Sequence, residues 1–520
     1  MNQIYESLNL RRFGFIVIFT VLFISIVLSD PDYFWHLSAG QYIWENKALP
    51  STDVFSYTFA GKPWVLHEWL FEIILFGIYS LSGGLGVKLF TATFATATVL
   101  VAYAIAKRLL GKPYWAFFLA LILFFQMVPN ISPRPQLITF LLFAVFLRVL
   151  VDFKYFSEVN KLWLLPVLMV LWVNSHGGYV AGLVLVLLFV ACEWLMLVLL
   201  QQGDALQKQR LKKLTMIAMV TVAVTLLNPY FIDHWIYPFT VMNMDASQNL
   251  ITEWRSPDFH TFHWKFFLLL VFGALTAAIY SDKRPDFTEI ILSVFFISSA
   301  FISIRHAPIS VLGIVFLTSV TLGHVPFAKM FSFVKLEQLA MHYRRSVGKG
   351  KDLGKNEFLF NWILLAITLI GCLLYYPVFH AKDEDKINKT VPVKAVQFIK
   401  EAGIEGRAFS VYHYGGYLIN QFYPEQLVFI DGRADLYGDK FIQEYLEIVE
   451  ARAGWKEKLE KHRIDYVIVT RKSALVELLQ MSADFKLIYE DEVNAVLLKN
   501  DARYAAIISK YARTNADKLQ

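Results

Sequence analysis

Long apolar runs separated by short polar clusters fill the first 380 positions, a pattern that predicts a bundle of membrane-crossing helices. The first run is Phe13–Leu28, and others follow at 86–106, 113–129, 136–151, 161–175, 178–200, 214–229, 264–280, 287–304, 307–324 and 357–376. A crossing needs roughly 17–25 residues, so the shorter cores recruit their flanks. Phe13–Leu28 follows Arg11 and Arg12 and precedes Ser29-Asp30-Pro31-Asp32, with no small-residue cleavage site, and so reads as an uncleaved span. Trp64–Leu81 is ambiguous, because His67, Glu68 and Glu72 give it an amphipathic character.

Charge resolves the ambiguity. If 64–81 does not cross, every basic cluster falls on one side: Arg11/Arg12, Lys107/Arg108/Lys112, Lys154/Lys161, Lys208/Arg210/Lys212/Lys213, Lys283/Arg284 and the stretch Lys329–Lys355. The loops opposite hold no basic cluster, and their arginines, Arg134, Arg255 and Arg305, are isolated. The positive-inside rule makes the first side cytoplasmic, with about eleven spans and the chain's C-terminal region outside. In a bacterium this is a multi-pass inner-membrane protein with a cytoplasmic N-terminus and a periplasmic C-terminal domain.

The pattern changes near position 380. Residues 1–380 form the transmembrane region, with an outer loop at 30–85 and a cytoplasmic loop at 325–356, while 381–520 read as a soluble domain. After a polar linker, Lys382–Lys389, the chain predicts a helix at Val393–Ala402, a strand at Ala408–Val411 and an apolar run, Val428-Phe429-Ile430. Helices at 438–452 and 455–462, a strand at Tyr466–Val469, a helix at 474–481 and strands near 485–489 and 494–498 complete a compact α/β domain.

Composition agrees. Of 520 residues 56% are hydrophobic, 16% aromatic and only 18% charged, against about a quarter charged in soluble domains. The net charge of +6 comes from basic residues between apolar runs and reads as loop charge, not as a nucleic-acid surface. Cys192 and Cys372 both lie in apolar runs, which excludes a disulfide framework or a cysteine-based zinc site.

The outer loop holds the candidate chemistry. Asp30, Asp32, His36, Asp53, His67, Glu68 and Glu72 alternate with Trp35, Trp44, Trp64 and Trp69. Acids beside a membrane persist only when solvated, paired or useful. In a helix, Asp32 and His36 share a face at i,i+4 spacing, suiting a general base for an acceptor hydroxyl or two ligands of a divalent cation. An interfacial loop whose acids cap helices and stay wet accounts for the same residues. Glu72 beside Glu68 reads as a polar face turned to water, and His67-Glu68 is no zincin motif because Phe71 stands where the second histidine belongs. At other outer turns, Arg134, His176, Arg305 and His306 supply positive charge and donors that suit a phosphate-bearing ligand. Glu193 stands inside an apolar run, where it pairs within the bundle or lies near its inner end.

The segment Asp30-Pro31-Asp32-Tyr33-Phe34-Trp35-His36-Leu37, with Gly40, Pro50, Asp53-Val54-Phe55-Ser56 and Pro63-Trp64, resembles the first outer loop of GT-C membrane glycosyltransferases. That class includes aminoarabinose transferases, protein mannosyltransferases and the oligosaccharyltransferase catalytic subunit. Arg305-His306-Ala307-Pro308 is similar to the class's Arg-Tyr…Pro element near the lipid phosphate. His413-Tyr414-Gly415-Gly416-Tyr417 is similar to the oligosaccharyltransferase motif Trp-Trp-Asp-Tyr-Gly, with Tyr412-His413 in place of Trp-Asp. The resemblance covers most of the chain in architecture and rests on these short motifs.

It implies transfer of a sugar or glycan from an undecaprenyl-phosphate-linked donor to a protein, lipid or polysaccharide acceptor. Asp32, then Asp30, with His36 would be catalytic. Arg305, His306, Arg134 and His176 would bind the donor phosphate. Glu68, Tyr414, Asp431, Arg433 and Asp435 would contact acceptor or sugar, and a divalent cation such as Mg²⁺ or Mn²⁺ would sit at Asp32 and His36. Membrane lipids are partners and nucleic acid is not. The rival readings are a transporter or assembly subunit for envelope polysaccharide, and a polysaccharide polymerase or ligase.

Overall fold

The structure, a computed structural model, describes residues 15, 17–22, 30–198, 204–244, 252–326, 370 and 384–512. The basic connector 329–355, most of the runs 13–28 and 357–376, and Cys372 lie outside the described residues. The membrane half begins with α1 (Pro31–Asn46), followed by α2 (Trp69–Leu110), α3 (Pro113–Met127), α4 (Gln136–Phe156), α5 (Leu164–Val173), α6 (Tyr179–Val198) and α7 (Ala205–Ala223). A short helix α8 (Ile232–Met242) precedes α9 (Phe262–Tyr280), α10 (Phe287–Ile302) and α11 (Ala307–Thr321).

Among the described residues six helices are long and apolar enough to cross a membrane, and two shorter apolar ones, Val159–Val173 and Phe287–Ile302, accompany them. The chain is a multi-pass membrane protein. The count of about eleven differs from this six because two predicted spans fall largely outside the described residues, two are short, and 214–229 lies in α7 behind a basic first half.

From Trp69 onward the ambiguous run 64–81 forms the first arm of α2, while 64–68 lead into it as a non-helical segment. Gly83, at φ 57° and ψ −153°, breaks the helix into two arms, a conformation open to glycine and costly for residues with a Cβ. An arm of this length, about 1.5 Å per residue, falls short of the roughly 30 Å hydrocarbon core. At the helix ends remote from the 30–68 loop, charges are paired: Lys154 meets Glu193 and Asp286, Thr288 donates to Glu193, and Arg148 and Lys161 hold Asp152. Glu193 is thus paired within the bundle.

The C-terminal domain contains α12 (Val393–Glu401), β1 (Ala408–Ser410), α13 (Gly415–Phe422), α14 (Ala434–Val449), α15 (Trp455–Lys461), β2 (Tyr466–Thr470), α16 (Ala474–Met481), β3 (Phe485–Glu490), β4 (Asn494–Lys499) and α17 (Ala505–Tyr511). The sheet order is β1-β2-β4-β3, with β1 parallel to β2 and the other pairs antiparallel. Tyr466, Val467, Ile468 and Val469 are all buried, as expected of a central strand covered on both faces. Val428-Phe429-Ile430 joins no strand of this sheet. It is buried under the outer loop, where Val428 bridges Ser56.

That bridge is one part of an extensive junction between the domain and the outer loop. Tyr57 Oη donates to the Ala408 carbonyl (2.9 Å) and Thr58 Oγ1 to the Phe429 carbonyl (2.6 Å). Helix α13 packs along α1, with Tyr417 edge-on to Phe34 and Asn420 donating to Ser38. Two glycines make the approach possible. A Cβ on Gly416 would meet the Pro31 carbonyl oxygen at 2.4 Å, and one on Gly432 would meet Asp32 Oδ1 at 2.0 Å.

Candidate active site

Asp30 begins α1: its Oδ1 accepts the Asp32 amide at 3.0 Å, a helix N-cap held in place by Pro31 at the first helical position. This start directs Asp32 toward the loop preceding α4. There Arg134 Nη2 lies 3.0 Å from Asp32 Oδ2, while Nη1 lies 2.8 Å from Glu253 and 3.7 Å from Asp30. One guanidinium therefore gathers three carboxylates.

The cavity around them measures about 640 Å³. Asp32, Trp35, His36, His67, Glu68, Arg134, Glu253, Trp254 and Arg305 line it from the membrane half, and Tyr412, Gly432 and Asp435 close it from the C-terminal domain. Asp32 keeps 26% of its side-chain surface accessible while enclosed by protein. Burial raises its pKa to about 7; Arg134 opposes the rise, and Asp30 and Glu253 add to it. Such a group exchanges its proton near neutral pH.

Below this floor, Glu68 is the centre of a histidine cluster. Its Oε1 lies 3.4 Å from His67 Nε2 and 3.6 Å from His176 Nε2, and its Oε2 lies 3.8 Å from His36 Nδ1. Burial works to raise the Glu68 pKa, yet His67 beside it holds it below the carboxylate range. Burial keeps His36 and His176 neutral, each lowered to about 3. His67 goes the other way: burial disfavours its charge, but Glu68 raises its pKa.

The tautomer of His176 follows from its partners. Its Nδ1 accepts the Gly178 amide (3.2 Å), and Thr139 Oγ1, which itself accepts from Trp172 Nε1 (2.8 Å), donates to the same nitrogen at 2.6 Å. The remaining proton is on Nε2, toward Glu68. Arg305 Nη2, 3.4 Å from that nitrogen, thus faces a donor. Its guanidinium also lies over the Trp254 ring, 5.4 Å from the centroid. No carboxylate lies within ion-pair distance of Arg305 among the described residues.

Several sequence-predicted residues lie elsewhere. Tyr414 is buried in the C-terminal domain, donating to Asn494 at 2.6 Å. His306 turns its Nδ1 toward the Ser299 carbonyl and lines no part of the cavity. Asp431 lies behind the cavity, while Arg433 lines it with its guanidinium already engaged: Arg433 donates from Nε (2.8 Å) and Nη2 (2.6 Å) to Asp431 and from Nη1 (2.8 Å) to Asp53. All three are buried, and the guanidinium stacks on Trp64. This is a junction between domain and loop. Asp435 does face the cavity, where burial raises its pKa against the pull of His67.

Glu72 contradicts the expectation of a water-facing residue. It is fully buried and its Oε1 lies 3.2 Å from His36 Nδ1. A cation shared by Asp32 and His36 does not fit either, because Asp32 faces Arg134 while His36 faces Glu68 and Glu72. Glu253, Trp254 and Tyr237 complete the site. Glu253 and Trp254 stand in a short turn and Tyr237 lies inside α8, so their sequence signal was no more than an acidic or aromatic residue between apolar runs.

No family model matches the chain, and no curated protein matches it by sequence. Solved structures match it by fold. The archaeal oligosaccharyltransferase AglB from Archaeoglobus fulgidus, in complex with an inhibitory peptide and a dolichol-phosphate, aligns over 88% of this chain and 69% of its own at TM-score 0.57 and 12% identity. The same organism's oligosaccharyltransferase in the apo form aligns over the same shares at TM-score 0.55 and 11% identity. Tethered to an acceptor peptide containing the NVT sequon, it aligns over 88% and 68% at TM-score 0.54 and 12% identity. The chain therefore has a GT-C-like fold.

Proposed function

We propose that the protein is a GT-C-type glycosyltransferase that moves a sugar or glycan from a polyprenyl-phosphate carrier to an acceptor at the outer membrane face. One observation carries this reading. A single cavity holds an enclosed yet reachable carboxylate, Asp32, and an arginine, Arg305, that has no carboxylate within ion-pair distance among the described residues. The likeness in fold to an oligosaccharyltransferase bound to a dolichol-phosphate supports it.

In this reading ionised Asp32 takes the proton of the acceptor nucleophile as that atom attacks the anomeric carbon. The bond from that carbon to the phosphate oxygen breaks, and polyprenyl phosphate leaves with its charge held by Arg305. Arg134 keeps Asp32, Asp30 and Glu253 together, so donor-phosphate binding falls to Arg305. Trp35, Trp254 and Tyr412 give flat walls for a sugar, and Asp435 offers an acceptor to its hydroxyls. No step is assigned to a metal.

Arg305→Lys keeps the charge and removes the planar fork. Donor binding should weaken about 10- to 100-fold, the equivalent of about 1.5–3 kcal/mol for one charge-assisted hydrogen bond. The detergent-solubilised melting temperature should hardly move, since the polar and ring contacts of the Arg305 guanidinium among the described residues are those to His176 and Trp254. Titrating a fluorescent polyprenyl-phosphate sugar checks this, and a collapse in stability would make Arg305 a structural residue.

The orientation has its own test. Cysteines at the exposed positions Lys472 and Lys208 should differ. In intact cells with a permeable outer membrane, Lys472→Cys should react with a membrane-impermeant maleimide and Lys208→Cys should not. The reverse labelling would put the site on the cytoplasmic face and remove periplasmic transfer.

A further inference from the structure

We propose that His36, Glu68 and Glu72 form a binding site for one divalent cation of the zinc class, distinct from the transfer site at Asp32. The helix crossing builds it. Gly40, one turn after His36 on α1, lets the two helices close until its Cβ position would lie 2.1 Å from the Glu72 carbonyl oxygen. That contact sets the His36 ring, stacked on Trp35 at 3.7 Å between centroids, against the carboxylate of Glu72 on α2. Glu68, immediately before α2, comes in from the third side.

The spacing fits a metal. His36 Nδ1 lies 3.2 Å from Glu72 Oε1 and 3.8 Å from Glu68 Oε2, and one ligand atom from each residue lies within 4.8 Å of the others. A tetrahedral zinc with bonds of about 2.0–2.1 Å separates its ligand atoms by about 3.3 Å. All three residues are buried, and among the described residues Glu72 Oε2 has no hydrogen-bond partner. A buried carboxylate oxygen without a partner is costly, and a cation that Glu72 holds through Oε2 as well as Oε1 removes that cost.

The surroundings orient the ligands. Glu68 Oε1 faces His67 and His176, and the Trp172–Thr139–His176 chain fixes the latter. Charged and polar neighbours at this range steer a ligating carboxylate. One imidazole with two carboxylates suits zinc better than magnesium or calcium, which take more oxygen ligands and bound waters. His36 and Glu68 line the cavity, so the fourth position opens toward it.

The test uses the full chain, purified without a polyhistidine tag, stripped with chelator and reconstituted in nanodiscs. Zinc is added alone, excess removed by gel filtration, and bound metal counted by mass spectrometry alongside the melting temperature. One zinc per chain is expected, with a rise in melting temperature and an absorption band when Co²⁺ replaces zinc. Glu72→Gln, which keeps the shape, should lose at least tenfold in zinc affinity, and Asp32→Asn should keep it. Three outcomes overturn the site: no stoichiometric zinc or cobalt band in folded wild type, unchanged affinity in Glu72→Gln, or equal loss in Asp32→Asn. None of these readouts depends on sugar transfer, so failure of this site and failure of the transferase reading are distinguishable.

Discussion

Asp32→Asn should fold, insert and bind donor while losing about 10²–10⁴ in transfer rate, the usual cost of removing a general base. The substitution keeps the shape and the contact with Gly432 and removes only the charge. Binding should survive because Arg305 carries the phosphate in this account. Asp30→Asn should be milder, since asparagine caps a helix about as well as aspartate and Asp30 serves as the α1 cap. The pH profile follows from the same group. With its pKa pushed up to about 7, Asp32 is protonated at lower pH and cannot accept a proton, so transfer should rise through neutrality and level off above it. Single-turnover rates at matched expression check both effects. Full activity in Asp32→Asn would return the loop acids to capping and charge pairing.

Arg433→Met should loosen the junction between the domain and the loop, at a cost of about 3–5 kcal/mol, the range for breaking a buried ion pair by removing one partner. Arg433 is 2% exposed and links Asp431 to Asp53, which are 0% and 3% exposed. Its removal leaves two buried carboxylates. Tyr437 still donates to Asp431, and the Phe55 and Ser56 amides still donate to Asp53, but neither supplies charge. Arg433→Lys should recover little of the loss, because one ammonium cannot make the three bonds of this guanidinium. Thermal unfolding in detergent and protease resistance of the C-terminal domain measure the effect. A melting temperature within about 1 °C of wild type would show that the triad does not hold the domain in place.

Much of the fold was legible because its signals are local. The predicted strands at 466–469, 485–489 and 494–498 match β2, β3 and β4 to within a residue or so, since each is a short apolar run bounded by turns. Helix α14 begins four residues before its predicted start, because Gly438, at φ 70°, separates its first turn from the rest. Residues 64–81 read as amphipathic, and from Trp69 onward they do form an arm set off from the next by Gly83.

The site was legible only in part. Asp32, Asp30, Arg134, Glu68, Arg305 and Asp435 do come together around one cavity, and each stands at an outer turn or helix start. Pairing across long sequence distances was not legible. Nothing local says that Arg433 meets Asp53, or that Arg134 meets Glu253. Glu72 read as solvated because its neighbours are mixed, while its burial depends on the close approach of α1 at Gly40. His306 and Tyr414 sit beside the right motifs with their side chains turned away.

Saturable binding of a labelled polyprenyl-phosphate sugar to the purified protein in nanodiscs tests the central claim most directly. The account predicts saturation at one donor per chain, displacement by unlabelled undecaprenyl phosphate, weakening in Arg305→Lys and retention in Asp32→Asn. Folded wild-type protein that binds no polyprenyl-phosphate sugar saturably and is blind to undecaprenyl phosphate would contradict it.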